Sequence, residues 1–328
     1  MTATLDILLV IVGIAILYWG AEWLIRGSAQ VARAFGVKPL VVGLTVVAYG
    51  ASAPELAIAT KTALTHHEPI ALGTVIGSCA ANISLILGLT ALIRPPTIDG
   101  RIIRREVPVL LGSAIAVPLL FRNGVLSSAE GLVLICCAVV FTIATLTVSA
   151  RLEPDDPLEL EARRTEDGAS LLAGKARPHA SRPLAALQTA AGLILLVAGS
   201  DLFVRGGRGI GKELGLTERM LGLTVIAIGT ALPELIGSIV AASRGQSALA
   251  IGSVIGSNVL NVFLVLGVTA YLRPIHAGKV LHLSDLIGLV VITLLGILML
   301  RGSRKISRIE GAILVLAYIA FIAFSALF

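Results

Sequence analysis

Two glutamates stand alone in oily sequence. Glu55 is the only charge between Leu40 and Thr60, and Glu234 the only charge between Leu221 and Ala242. Each follows a proline directly and a glycine by five positions, in Gly50-Ala51-Ser52-Ala53-Pro54-Glu55 and Gly229-Thr230-Ala231-Leu232-Pro233-Glu234. An ionised carboxylate is costly in a hydrocarbon setting unless it is paired or holds a metal. Two of them at matching positions therefore point to a shared task, the binding of a cation. Proline lacks an N–H and crowds the carbonyl four residues back, here that of Gly50 and of Gly229. The helices are expected to bend or unwind over Gly50–Ala53 and Gly229–Leu232 and to free carbonyl oxygens, which hydrocarbon tolerates only where protein, water or an ion satisfies them.

The next apolar stretch of each half adds neutral oxygens. Ser78 and Asn82 are four residues apart and share a helical face, as do Ser257 and Asn261. Carboxylates, amides, hydroxyls and carbonyls without a soft ligand suit a hard cation. Together they can supply the roughly six to eight oxygens that calcium takes at about 2.3–2.6 Å, whereas magnesium keeps its waters and gains less. One divalent cation cancels both charges, and protons or monovalent cations could do the same. A site that must not cross a membrane empty and charged implies obligatory exchange.

The elements that position these residues are membrane spans. Of 328 residues, 56% are hydrophobic and only 14% charged, against about 25% charged in a soluble domain, and the mean hydropathy is +0.95. Ten apolar segments approach the roughly 20 residues that a bilayer requires. They lie near Ile7–Ile25, Leu40–Thr60, Ala71–Ile93, Val107–Phe121, Ala129–Ser149, Leu184–Val204, Leu221–Ala242, Ala248–Leu272, Leu283–Leu300 and Ile309–Phe328. The first has no basic lead and no small-residue cleavage site after it, so it reads as a span and not as a cleavable signal. The polar segment Arg151–Arg182 reads as a mobile linker. The net charge of +6 comes from short basic segments between spans, without aromatic interleaving. It fits a membrane face and not a nucleic acid.

A shift of 179 residues aligns the two halves without a gap from Gly20 to Pro95. Gly43-Leu44-Thr45-Val46 meets Gly222-Leu223-Thr224-Val225, Gly73 through Asn82 meets Gly252 through Asn261, and Arg94-Pro95 meets Arg273-Pro274. The expected fold is all-α and polytopic. Ten transmembrane helices form two five-helix repeats, residues 1–150 and 183–328, joined by the linker 151–182. Five spans per copy make the second copy enter from the opposite side, so the repeats are inverted and the site falls between them near mid-bilayer. Of the 26 lysines and arginines, 18 lie on the linker's side, which places the linker in the cytoplasm and both termini outside.

Other features are weaker. Glu22 and Asp201 match across the repeat, and the simplest reading pairs them with Arg26 and Arg205 one turn on. His66-His67-Glu68 reads as a solvated loop. Cys79, Cys136 and Cys137 lie in apolar runs and read as small fillers. Gly206-Gly207-Arg208-Gly209-Ile210-Gly211 follows a membrane span and not a strand, so it is no dinucleotide loop. There is no His-Glu-x-x-His, Gly-x-Ser-x-Gly or Walker motif. No enzyme activity, ATP-driven pumping or resident cofactor is expected. A channel would conduct without a counter-ion, and no ring-like filter is present.

The repeated Gly-x-x-x-Pro-Glu, followed in each half by Gly-Ser-x-x-x-Asn, resembles the two alpha-repeats of the calcium/cation antiporter superfamily, and most closely those of the prokaryotic sodium/calcium exchangers. The resemblance covers nearly the whole chain. It implies exchange of calcium for sodium by alternating access in the inner membrane, with the first and sixth helices sliding past a core of the other eight. It implies that Glu55 and Glu234 bind calcium and sodium in turn. The sites would be completed by carbonyls near Ala48, Ala51, Ala227 and Thr230 and by Ser52, Ser78, Asn82, Ser257 and Asn261. This sequence departs from the pattern at four places. Ala51 and Ala231 stand where a hydroxyl is usual, Cys79 where the other half has Asn258, and Asn261 where many members have aspartate. The lost hydroxyl at Ala231 bears on one sodium site, and Asn261 removes a third charge. The coupling ion is left open among sodium, protons and potassium. The partners implied are calcium, sodium and the lipid bilayer, and the oligomeric state is left open, a monomer being compatible.

Overall fold

Long apolar stretches without a breaker satisfy every backbone group internally, and helix is the form that does so within one segment. In the computed structural model, which describes residues 3–35, 43–97, 100–149, 182–276, 283–302 and 305–327, the chain is helical almost throughout. The ten helical runs among the described residues are α1 (Ala3–Phe35), α2 (43–64), α3 (Glu68–Ile93), α4 (Gly100–Leu120), α5 (Ser128–Ser149), α6 (Arg182–Glu213), α7 (Glu218–Ser243), α8 (Ser247–Leu272), α9 (Leu283–Gly302) and α10 (Arg308–Leu327). Eight of these are long and apolar enough to cross a membrane. Of the other two, α2 is split at Ser52, and α4 carries Arg101, Arg104, Arg105 and Glu106 in its first two turns.

The helices match the expected segments in order and number. Several run further, α1 from Ala3 to Phe35 and α6 from Arg182 to Glu213, because a helix continues into the polar zone where hydropathy has already fallen. The segment Arg151–Ser181 and the expected second-span start at Leu40 lie outside the described residues.

Burial ranks the helices. The apolar window of α3 is 94% buried and that of α8 is 89%, whereas those of α1 and α6 are 28% and 29%. The largest apolar cluster draws on α2–α5 and α7–α10 and includes no side chain of α1 or α6. Those two helices lie antiparallel against each other, with Leu17, Ala21, Leu24 and Leu196 in a separate cluster that reaches α7 and α8 through Leu232, Ala241 and Leu249. Their backbones approach closely at glycines spaced by seven, Gly13, Gly20 and Gly27 against Gly192, Gly199 and Gly206. A Cβ at Gly20 would sit 2.9 Å from the Leu196 amide nitrogen, and one at Gly199 2.9 Å from the Gly13 carbonyl oxygen.

The halves interlock reciprocally. Strand β1 (Val125–Leu126) pairs antiparallel with β2 (Ile275–His276), and on the other side Thr97 bridges to Lys305. The Arg94 guanidinium donates to the Ser243 carbonyl (2.7 Å), while Arg273 lies 2.6 Å from His66 Nδ1. Each arginine thus ties down the helix–helix turn of the opposite half. Those two turns have the same shape. His66, at φ +63°, occupies the left-handed position that Gly245, at φ +77°, fills in the second half. His67 also reaches Glu218 at 3.0 Å, and Glu68 lies 3.6 Å from Arg273. The His66–Glu68 stretch is exposed at both histidines, in keeping with its reading as a solvated loop, and it also meets neighbouring segments. Glu22 pairs with Arg26 as expected, and also with Arg244 from the α7–α8 turn. Asp201 pairs with Arg205 at 2.7 Å on its own helix.

Gly20→Val is expected to cost on the order of 1–3 kcal/mol by overpacking, seen as a lower thermal midpoint in detergent. Gly112→Ala, where an added Cβ meets nothing within 4 Å, should leave the midpoint unchanged or raise it.

Candidate functional site

α2 and α7 are broken in the same way. In α2 a π-helical turn (Gly43–Val47) leads into Ala48–Ala51, then a single non-helical residue, Ser52 (φ −79°, ψ 1°), then Ala53–Leu64. In α7 the sequence is Gly222–Ile226, Ala227–Thr230, Ala231 (φ −84°, ψ 0°) and Leu232–Ser243. Pro54 and Pro233 each sit at the start of the second piece, where a missing N–H is tolerated. The break is shallower than the expected unwinding over four residues. Ser52 N still donates to Ala48 O and Ala231 N to Ala227 O, both at 3.0 Å. The carbonyl of Ala48 is thus already bonded once and has one lone pair left to offer, whereas that of Ala227 also accepts from the hydroxyls of Ser78 and Thr230, both at 3.3 Å.

α3 and α8 supply the facing wall. Each contains a π-helical turn, Ala81–Ile86 and Asn261–Leu266, and these hold Asn82 and Asn261. Such turns are frequent at functional sites. Missing Cβ atoms set the approach of these helices. A Cβ at Gly77 would lie 2.5 Å from the Leu223 carbonyl oxygen, and one at Gly256 3.0 Å from Leu44 Cα. α3 therefore packs on the start of α7, and α8 on the start of α2, so each wall crosses between the halves.

Six of the expected residues, Glu55, Glu234, Ser52, Ser78, Thr230 and Ser257, come together. Glu55 is fully buried and Glu234 is 1% exposed, and the two carboxylates lie within electrostatic reach of each other. The hydroxyls of Thr230 and Ser78 flank Glu55, and those of Ser257 and Ser52 flank Glu234. Each carboxylate thus faces one hydroxyl from its own half and one from the other half's motif. Ser78 Oγ is 3.3 Å from Thr230 Oγ1 and 3.3 Å from the Ala227 carbonyl. The flanking hydroxyls are near neighbours only, because no carboxylate oxygen has a donor at bonding distance and angle. Asn82 and Asn261 are fully buried, as are Ala48, Ala51 and Ala227 in the same turns. Cys79 directs its thiol to the Asn258 carbonyl at 3.8 Å and lies within electrostatic reach of Glu55.

Unmet bonding capacity marks this place. Of 19 buried side-chain polar atoms without a partner among the described residues, ten belong to Ser52, Glu55, Asn82, Glu234, Ser257 and Asn261. A buried donor or acceptor left unpaired costs about 1–3 kcal/mol, and more if charged. Eight of the ten are oxygens, and four carry carboxylate charge. Such a donor set fits a hard cation coordinated by oxygen. Among the described residues no group of three or more His, Cys, Asp or Glu could hold a metal, so neutral oxygens must complete any coordination here. Sequence reasoning missed Ser238, buried and unpartnered four residues after Glu234. The i+4 spacing was the signal that could have found it. It also missed the Arg244 partner of Glu22, for which no local signal exists.

Comparisons with known proteins bear on the family and the fold. The family described as sodium/calcium exchanger protein matches residues 5–147 and again 184–327. CaxA of Alkalimonas amylolytica is 35% identical over 95% of this chain and 96% of its own length. The inner membrane protein YrbG of Escherichia coli is 32% identical over 96% of this chain and 95% of its own. The solved structure of the sodium-calcium exchanger NCX_Mj, soaked with sodium and strontium, superimposes with a TM-score of 0.79 at 30% identity. That match covers 98% of this chain and 99% of that one.

Asn82→Ala and Asn261→Ala remove unpaired amides, so each variant should unfold in chelator at the same temperature as the parent or higher. The rise in midpoint on adding calcium, worth about 2.7 kcal/mol at a hundredfold excess over Kd for the parent, should shrink in both. Thermal unfolding in detergent with and without calcium checks this.

Proposed function

Because the chain belongs to the sodium/calcium exchanger protein family, we propose that it is a secondary-active antiporter that exchanges calcium for sodium by alternating access. Glu55 and Glu234 share the ions near mid-bilayer. The observation that carries this reading is the pair of buried carboxylates, one from each half, with no hydrogen-bond partner among the described residues. Ser78, Thr230, Ser52 and Ser257 are the flanking hydroxyl ligands, Asn82 and Asn261 the amide ligands, and Ala48, Ala51, Ala227 and Thr230 the carbonyl ligands. One calcium neutralises both glutamates. Its departure leaves two exposed charges in a dry site, so sodium must replace it before the protein can change state.

Ten transmembrane helices, in inverted repeats 1–150 and 183–328 about the linker 151–182, are the architecture that fits the reciprocal clasps between the halves. The excess of basic residues puts the linker in the cytoplasm and both termini outside, in the inner membrane. α1 and α6 move as a pair against the other eight helices. Their exclusion from the main apolar cluster and their backbone-close glycine contact support this division. A second reading, proton- or potassium-coupled exchange, draws on the alanines at 51 and 231, which leave fewer hydroxyls for sodium.

Proteoliposomes loaded with sodium should take up calcium when diluted into sodium-free medium, and Glu55→Gln and Glu234→Gln should reduce uptake to that of empty liposomes. Uptake that ignores sodium but follows a proton or potassium gradient would establish the second reading. Uptake without any counter-ion gradient would exclude antiport.

A further inference from the structure

Buried serine and threonine hydroxyls in these helices mostly bond the carbonyl one turn back. Ser28 bonds Leu24, Thr62 bonds Ile58, Thr74 bonds Ile70, Thr269 bonds Val265 and Thr293 bonds Leu289, at 2.5–2.8 Å. That is the ordinary way a helix satisfies such a group. Ser238 does not do so. It is 1% exposed, its Oγ has no partner, and it lies one turn beyond Glu234 on the same face of α7. Along α7 this turn leads away from Glu234 toward the end joined to α8 by Arg244, the side on which the linker lies. The second half of α7 packs there against the end of α3, which carries Thr90, 2% exposed and likewise unpartnered.

The opposite side lacks this feature. The repeat positions of Ser238 and Thr90 are Ala59 and Thr269. Ala59 has no hydroxyl. Thr269 is bonded to Val265 and lies 3.4 Å from the Thr60 hydroxyl. Among the described residues, a buried hydroxyl without a partner one turn beyond the glutamate therefore occurs in α7 and has no counterpart in α2.

We propose that Ser238 is a further cation-coordinating residue, used when the site opens to the linker side, with Thr90 the second hydroxyl of the same step. The cation leaving Glu234 toward the linker passes from carboxylate to hydroxyl before it meets bulk water, whereas on the far side it passes from Glu55 to water directly. The ligand class is a hard cation, calcium or sodium, because a hydroxyl offers only a neutral oxygen. This proposal rests on the cation-binding role given above to Glu234. It adds a difference between the two faces that the paired glutamates alone do not create.

The test uses radioactive calcium exchanged against unlabelled calcium, which needs no coupling ion. Everted membrane vesicles present the linker face to the medium, and right-side-out vesicles present the opposite face. Ser238→Ala should raise the KM for calcium about fivefold at the linker face, the scale of one neutral polar contact, and change it less than twofold at the other face. Ser238→Thr, which keeps the hydroxyl, should restore the parent value. Thr90→Val should shift the linker-face KM in the same direction. An unchanged KM at both faces, or an equal rise at both, would overturn the proposal while leaving calcium transport by the glutamates intact. A parent protein that exchanges no calcium would instead overturn the transport reading on which the proposal rests.

Discussion

Two carboxylates without partners, drawn from opposite halves into one dry space, are the constraint that the rest of the structure serves. Among the described residues nothing donates a hydrogen bond to their oxygens. Unless a proton or a bound cation neutralises them, the conformational energy of the fold must hold them in place. A structural ion pair would have solved the problem permanently. Leaving it unsolved makes the stability of the site depend on what is bound, and for a transported ion that dependence is the coupling.

Helix irregularities make this arrangement available. A straight α-helix would spend its carbonyls and direct Glu55 and Glu234 along a regular stripe. A single non-helical residue in α2 and in α7, each preceded by a π turn and followed by proline, turns the glutamates inward at small backbone cost. The π turns in α3 and α8 hold Asn82 and Asn261, both fully buried. Glycines at 77 and 256 bring the walls close enough that oxygens from both halves face one volume. The surrounding helices then need only lipid-facing apolar side chains. α1 and α6 show the other requirement, a pair held tightly to each other and lightly to everything else.

Much of this was legible in the sequence because the chemistry is local and repeated. Gly-x-x-x-Pro-Glu and Gly-Ser-x-x-x-Asn each lie within six residues, and the shift of 179 shows them twice. Helix number and order followed from hydropathy, and the Glu22–Arg26 and Asp201–Arg205 pairs from i+4 spacing. Long-range partners were not legible. Arg244 reaches Glu22 across more than two hundred residues, and Arg273 reaches His66 from the other half. Those contacts depend on how finished helices dock. The depth of the break at Ser52 was overestimated because proline predicts a lost bond at Gly50 but not how well neighbouring bonds close around it. The π turns had no sequence signature, since a residue added to a helical turn leaves composition unchanged.

The central claim is that one metal ion joins the two glutamates. Crystals soaked in calcium and measured at a wavelength where calcium scatters anomalously test it most directly. The expected result is a single strong peak within about 2.3–2.6 Å of carboxylate oxygens from both Glu55 and Glu234, absent after soaking in chelator. A peak bound to one glutamate alone, or calcium found only outside this cluster, would contradict the account.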